Sequence, residues 1–379
     1  MNSIALYIHI PFCEKKCFYC DFNSYSGKKY LIEDYITALK KEITLYKASL
    51  AECTVSTIFF GGGTPSILSG SQIYEIMDII NKNFSIEDNA EISMESNPGT
   101  LDYNNLKQYY ESGINRLSIG LQACQNHLLK TLGRIHNFEE YIKNLEDARQ
   151  VGFTNINTDL MFSLPGQSKK DWKESLRKMV DLNIPHISAY SLIVEEKTPF
   201  YNWVKNKKVI LPSEDTEIDM YHYAIRYLKE AGYKHYEISN FSKPGFECKH
   251  NLIYWKNKPY IGFGAGAHSY FNKKRFNNVE KVEEYISLLK NDKLPVENEI
   301  DILVKDEISE FMFLGLRLID GISIEEFKTK FNISPFDIYK EAFNKLKQED
   351  LLLWDEQRIK LTSKGIDLSN IVFQEMLLD

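Results

Sequence analysis

The chain has 379 residues, 43% of them hydrophobic and 26% charged, and a formal net charge of −7. This is an ordinary globular composition, long enough for one large α/β domain and a smaller second one. The negative balance excludes a general attraction to nucleic acid or to an anionic membrane, and no apolar run approaches the roughly 20 residues of a membrane span. The first residues already read as strand and carry no basic, cleavable leader, so a reducing cytoplasm is the expected setting.

An apolar run over 4–10 reads as a buried strand. Directly after it, Cys13, Cys17 and Cys20 stand at the spacing C-x3-C-x2-C. Thiolates so close on one loop reach a single iron–sulfur cluster, and three of them leave one iron of a cubane open to an exchangeable ligand. Structural zinc is the alternative. It requires a fourth ligand, for which only His9 or Asp21 is local, because Cys53, Cys124 and Cys248 are isolated. Unevenly deployed cysteines without a secretory signal speak against disulfides. The cluster loop is the stronger reading.

Helical spacing follows over 30–50, then a β-rich run over 55–60 that stops abruptly at Gly61, Gly62, Gly63, Thr64 and Pro65. The alternation continues as helix 71–83, strand 91–94, helix 104–111, strand 116–119, helix 138–150 and strand 155–160. After these come helix 170–182, strand 186–192, helix 214–231 and a short strand 236–238. Strands alternating with helices predict parallel βαβ units with right-handed crossovers, closing into a barrel or an open part-barrel.

The unusual residues fall at strand ends: the cysteines after the first strand, the glycines after the second, Glu95 and Asn97 after the third, Gln122 after the fourth and Asp159 after the fifth. Barrel sites sit at the C-terminal ends of their strands, so separate segments place these residues on one rim. The glycine stretch lacks the phosphate-loop pattern. It reads either as a tight strand-to-helix turn or as a place where backbone amides approach a small ligand closely.

With the aromatic Tyr19 before the last cysteine, the Cys13, Cys17, Cys20 loop resembles the cluster motif of the radical S-adenosylmethionine (SAM) superfamily. That resemblance implies a [4Fe-4S] cluster whose open iron is chelated by SAM. It assigns SAM contacts to Tyr7, Tyr19, Gly62, Gly63 and Thr64, with Glu95 at the amino group, Arg134 at the carboxylate, Asp159 at the ribose, and Gln122 beside them. Opposite charges suit a zwitterion and a carboxylate suits a diol.

Further on, Cys248 precedes His250, Asn251, Tyr254 and Trp255, and a glycine run leads to His268. Read singly, these are a hydrogen-bonded histidine and core aromatics. As H-N-x-x-Y-W followed by glycines, the segment resembles the HemW haem chaperones, relatives of the oxygen-independent coproporphyrinogen III dehydrogenase HemN. The similarity runs from about Tyr7 to the C-terminus. It implies haem binding through His250, Asn251, Tyr254 and Trp255, with His268 and Cys248 as fallback ligands. Lys256, Lys258, Lys273, Lys274 and Arg275 are candidates for the propionates.

Two departures separate the chain from the dehydrogenase, which is the alternative function. Phe22 stands where that enzyme has a further cysteine, and only six residues precede Tyr7. The chaperone branch is therefore expected, with no catalytic residue assigned, with haem passed to an acceptor protein that the sequence does not name, and with transient contact to membrane haem proteins.

From about 298 the pattern changes to an apolar-faced helix near 308–318, helices near 324–330 and 336–348, a hairpin of 351–354 and 358–361, and a last helix from 363. Helices followed by a hairpin predict a winged-helix-like domain. Over 297–379, 18 Asp and Glu stand against 10 Lys and Arg, a net of −8, so a nucleic-acid reader is not expected. The predicted organisation is a radical SAM part-barrel of about six βα units over 1–297 and a small α+β domain over 298–379.

Overall fold

The computed structural model describes residues 2–378. Six parallel strands form its centre: β1 (Asn2–Ile10), β2 (Cys53–Gly62), β3 (Ser85–Ser96), β4 (Arg116–Gln122), β5 (Asn155–Phe162) and β6 (His186–Ser191). Helices α1 (Ile32–Leu45), α2 (Gly70–Asn83), α3 (Tyr103–Glu111), α4 (Phe138–Val151), α5 (Lys169–Asp181) and α6 (Glu214–Glu230) follow these strands in turn. Six βα units are present, as the alternation predicts. Helix starts are written locally: Ser69 with Gln72 and Asn137 with Glu140 form capping boxes at α2 and α4.

Side-chain alternation explains how the strands carry a site. Ile4, Leu6, Ile8 and Ile10 of β1, Ile58 and Phe60 of β2, and Leu117, Ile119 and Leu121 of β4 are buried in one core with the helices. Each such side chain stabilises the fold by roughly 1.5–3 kcal/mol. The alternate positions point to the other face, and there most of the buried residues are polar: Thr57, Glu91, Ser93, Arg116, Ser118, Asn157, His186 and Ser188, with Phe59 among them. A hydrophobic outer layer thus surrounds a polar interior.

The sheet is wider than the periodicity indicates. It continues through β7 (Lys234–Glu237), β8 (Asn240–Ser242), β9 (Tyr260–Phe263), β10 (His268–Phe271), β11 (Lys274–Asn278) and β12 (Val296–Asp301). The strand order is β12-β11-β10-β9-β1-β2-β3-β4-β5-β6-β8-β7. Strand β9 pairs in parallel with β1, placing Gly262 opposite Tyr7. Both margins are antiparallel. The expected boundary at 297/298 falls inside β12, which stays with the sheet to Asp301.

Beyond it, helices Val304–Gly315, Ile324–Phe331 and Lys340–Gln348 pack with a small antiparallel sheet around Phe311, Met312, Phe327, Phe343, Leu352 and Ile359. The hairpin is Leu352–Trp354 with Arg358–Leu361, and Ile322–Ser323 adds a third strand. This domain is fastened to the barrel margin by backbone bonds from Ile238 N–H to the Arg317 carbonyl and from Ile319 N–H to the Tyr236 carbonyl, both 3.1 Å. No helix among the described residues is long and apolar enough to cross a membrane.

Candidate functional site

The cysteine loop leaves β1 and is pinned on both sides. Phe12–Cys13 pairs with Tyr25–Ser26, and the N–H groups of Gly63 and Thr64 donate to the carbonyls of Ile10 and Phe12 at 2.9 and 2.8 Å. The glycine turn at the end of β2 therefore cradles the cluster loop directly. Gly62 has φ +110°, and a Cβ there would meet the His9 ring at 2.4 Å, so the turn reading holds sterically. Its backbone also faces the cavity.

Cys13, Cys17 and Cys20 line one cavity of about 310 Å³. Thr64 Oγ1 lies 3.5 Å from Cys13 Sγ, and Arg134 Nη1 donates to Cys17 Sγ at 3.4 Å. Burial pushes the Cys13 and Cys20 thiols up. Among the described residues, no three His, Cys, Asp or Glu side chains converge on a point suited to one metal ion. Three thiols around a shared cavity fit a multinuclear cluster.

Tyr19, Gly62, Gly63, Thr64, Glu95, Gln122, Arg134 and Asp159 all line this same cavity. Tyr7 does not; it faces the adjoining clefts, and its hydroxyl bonds His9 Nδ1 at 3.0 Å. Gln122 is the last residue of β4, and Asp159 lies within β5 instead of after it. Glu95 accepts from Gly62 N–H at 3.2 Å, and Asp159 accepts from Asn157 at 2.7 Å and Ser118 at 3.2 Å. Desolvation, with Asp159 nearby, pushes the Glu95 carboxyl up to about 8, and burial raises Asp159. Two half-buried acids facing one cavity suit a ligand that brings an ammonium and a diol. Opposite them, the half-buried Arg134 bonds the Gly120 carbonyl at 2.6 Å and the Asn97 side chain, while its buried Nε has no partner among the described residues. That orphaned donor suits a ligand carboxylate. The residues fit SAM.

The H-N-x-x-Y-W segment forms helix α7 (Lys249–Trp255). The Glu91 carboxylate, reaching across from β3, accepts the N–H groups of Lys249 and His250, each at 3.1 Å. Cys248 is buried beside it, its thiol pushed up to about 12 by burial. The His250 ring stacks on Phe59 at 5.0 Å, with Nδ1 2.8 Å from Thr57 Oγ1 and Nε2 2.9 Å from the Tyr254 hydroxyl. His250, Asn251 and Tyr254 line a polar cavity of about 260 Å³ inside the barrel. Trp255 lines none of these spaces. It faces the C-terminal domain, with the Arg317 guanidinium 4.4 Å from its ring. Of the lysines and arginine expected at propionates, Lys274 pairs with Glu299, and Arg275 holds Glu310 with two bonds of 2.7 and 2.8 Å. His268 stands exposed on β10 at a third cleft of about 430 Å³, shared with Tyr7, Tyr254 and Tyr260.

Sequence reasoning missed Arg116. Its guanidinium is buried in the inner cavity, and its Nε has no partner among the described residues. The available signal was a charge at the polar phase of the apolar alternation Arg116, Leu117, Ser118, Ile119.

Residues 7–179 match the radical SAM superfamily, and residues 303–368 match the HemN C-terminal domain. The chain is 40% identical to Heme chaperone HemW of Bacillus subtilis (strain 168), covering 98% of this chain and 99% of that one. It is 40% identical to Heme chaperone HemW of Lactococcus lactis subsp. lactis (strain IL1403), covering 99% and 97%. The protein of the same name from Escherichia coli (strain K12) is 37% identical, covering 86% of each chain. The solved structure of coproporphyrinogen III oxidase (HemN) from Escherichia coli superposes with a TM-score of 0.86 at 24% identity, covering 99% of this chain and 90% of that one; this likeness concerns the fold. Full-length identity of this degree, on a part-barrel whose cysteine loop and strand ends meet in one cavity, means that the chain belongs to the HemW family of the radical SAM superfamily.

Proposed function

We propose that the protein is a haem chaperone of the cytoplasm, which binds haem and hands it to an acceptor protein. The observation that carries this reading is its 40% identity, over 98% of its own length, to a protein named Heme chaperone HemW. Cys13, Cys17 and Cys20 hold a [4Fe-4S] cluster. When bound, the cluster supplies a redox-active iron with an exchangeable position. Arg134 orients the SAM carboxylate, Glu95 its ammonium and Asp159 its ribose hydroxyls, with Tyr19, Gln122 and the Gly62 to Thr64 turn closing around them. Tyr7 joins this cavity to the clefts beside α7. Haem is taken up beside the segment of His250, Asn251, Tyr254 and Trp255, of which Tyr254 lines the open cleft. Transient contact with membrane haem proteins belongs to this reading.

The test is an anaerobic haem titration of cluster-reconstituted protein, followed by mixing with an apo-form haem acceptor. Saturation near one haem per chain, then loss of the haem spectrum to the acceptor, is the expected result. Failure to bind haem, together with SAM- and reductant-dependent formation of protoporphyrinogen from coproporphyrinogen III, would replace this reading with the dehydrogenase.

A further inference from the structure

We infer that the haem iron is coordinated by His268 in the cleft between β1, β9, β10 and the cluster loop, with His250 acting as a positioning residue for its wall. The inference rests on the haem-chaperone reading above. An axial imidazole needs a nitrogen lone pair that faces open space wide enough for a tetrapyrrole plane.

Three of the four nitrogen or sulfur candidates near α7 are closed. His250 is 1% exposed, flat against Phe59, and both its ring nitrogens are engaged, by Thr57 and Tyr254. His9 is likewise used twice, by the Tyr7 hydroxyl and by the Asn23 carbonyl at 2.9 Å. Cys248 is buried, 3.6 Å from a Glu91 oxygen. His268 differs on every count. Its ring is exposed and has no hydrogen-bond or ion-pair partner among the described residues.

One side of the surroundings suits a flat ring. The cleft beside His268 has an aromatic wall of Tyr7, Tyr254, Tyr260 and Phe22, with His9, Asn23, Glu95 and Glu280 at its polar side. Phe22 is 63% exposed, a large apolar ring left uncovered. Tyr254 and Tyr260 meet edge to face at 4.7 Å, which fixes both rings as a wall. Backbone packing fixes His268 too. Strand β9 lies so close to β10 that a Cβ on Gly262 would meet the His268 carbonyl oxygen at 2.3 Å. Gly62 and Glu95 border both this cleft and the cluster cavity. Haem seated here lies against the same turn that closes around SAM. The role of His250 follows from its bonds: it holds the Tyr254 hydroxyl and so the cleft's inner wall.

The experiment titrates full-length, cluster-reconstituted protein with haem under anaerobic conditions and records visible and electron paramagnetic resonance spectra. His268→Ala lowers haem affinity by about tenfold or more with unchanged iron–sulfur content. In His268→Met a thioether replaces the imidazole, and the Soret band and resonance signature change. His250→Ala retains the wild-type ligand signature. A wild-type signature in His268→Met, or loss of the imidazole signature in His250→Ala alone, overturns the assignment. Absence of haem binding by the unmodified protein instead overturns the chaperone reading itself.

Discussion

Arg134 donates to the Sγ of Cys17 across 3.4 Å, so the residue expected at the SAM carboxylate also touches a cluster cysteine. The same guanidinium bonds the Gly120 carbonyl at the end of β4, which holds the fork in place between both sites. Its unpartnered Nε is the donor left for a ligand. Hydrogen bonds to charged groups contribute roughly 1.5–3 kcal/mol. Arg134→Ala should therefore weaken SAM binding by about tenfold to a hundredfold. Arg134→Lys should fall between, keeping the charge without the fork. Equilibrium binding of SAM to reconstituted protein decides, and equal affinity in all three proteins would remove Arg134 from the site.

The three cysteines of the loop are separable from the other three by iron content. Serine at Cys13, Cys17 or Cys20 should abolish the visible cluster absorbance and most acid-labile sulfide. Cys124 is buried in the core, away from the loop, its thiol pushed up to about 12 by burial. Cys124→Ala should keep the cluster while costing about 1 kcal/mol of stability, the penalty of a small core truncation. An unaltered absorbance in Cys20→Ser would refute the ligand assignment.

The part of the fold that was legible in the sequence is the part with strong period: six strands whose apolar phase faces helices, and the helices themselves. The antiparallel margin beyond β9 was not, whereas β7 at the other margin is the short strand expected at 236–238. Strands β9 and β10 are four residues each, separated by a turn that holds Gly264 and Gly266, and too short for an alternation to register. Among site residues, the cysteine spacing and the strand-end acids were readable because neighbours in sequence or topology carry them. His250 looked like an open ligand because sequence says nothing about Thr57 and Tyr254, which occupy its two nitrogens. Trp255 looked like part of the same wall, but one helical step turns it toward Arg317. Thr57 and Arg317 come from a strand and a domain far along the chain, whereas Tyr254 lies one turn further on in α7.

Glu42 of α1 is fully buried, accepting from Gly264 N–H at 2.8 Å, Asn278 at 2.6 Å and the Tyr285 hydroxyl at 2.5 Å. Desolvation outweighs these bonds and pushes its carboxyl up to about 7. The folded state thus holds the proton more tightly than the unfolded chain, whose carboxyl titrates near 4.5. Stability from this group is fully present below about 4.5 and falls as pH rises to about 7, by roughly 3 kcal/mol across the window. Glu42→Gln removes the titration. Urea unfolding at pH 5 and pH 8 should show the variant gaining on the wild type by that order at the higher pH. A constant difference between the two proteins would mean that Glu42 does not titrate there.

Gly62 and Gly166 offer a controlled comparison of two positive-φ glycines. At Gly166, φ is +76° and nothing lies within 4 Å of a built Cβ, so alanine adds only backbone strain, about 1 kcal/mol. At Gly62, φ is +110° and the Cβ overlaps the His9 ring, which the Tyr7 hydroxyl and Asn23 carbonyl hold on both sides. The ring cannot yield without breaking those bonds, and the turn cannot retreat without releasing the Gly63 and Thr64 contacts to the cysteine loop. Gly62→Ala should therefore destabilise by about 2–4 kcal/mol, strain and overpacking together. It should also lower cluster retention and SAM affinity, because the displaced turn borders both. Gly166→Ala should leave cluster and SAM binding unchanged. Thermal unfolding and iron content measured side by side separate the two effects. Equal losses in both variants would show that general backbone strain, and not the seat of the cluster loop against β2, sets the demand for glycine at position 62.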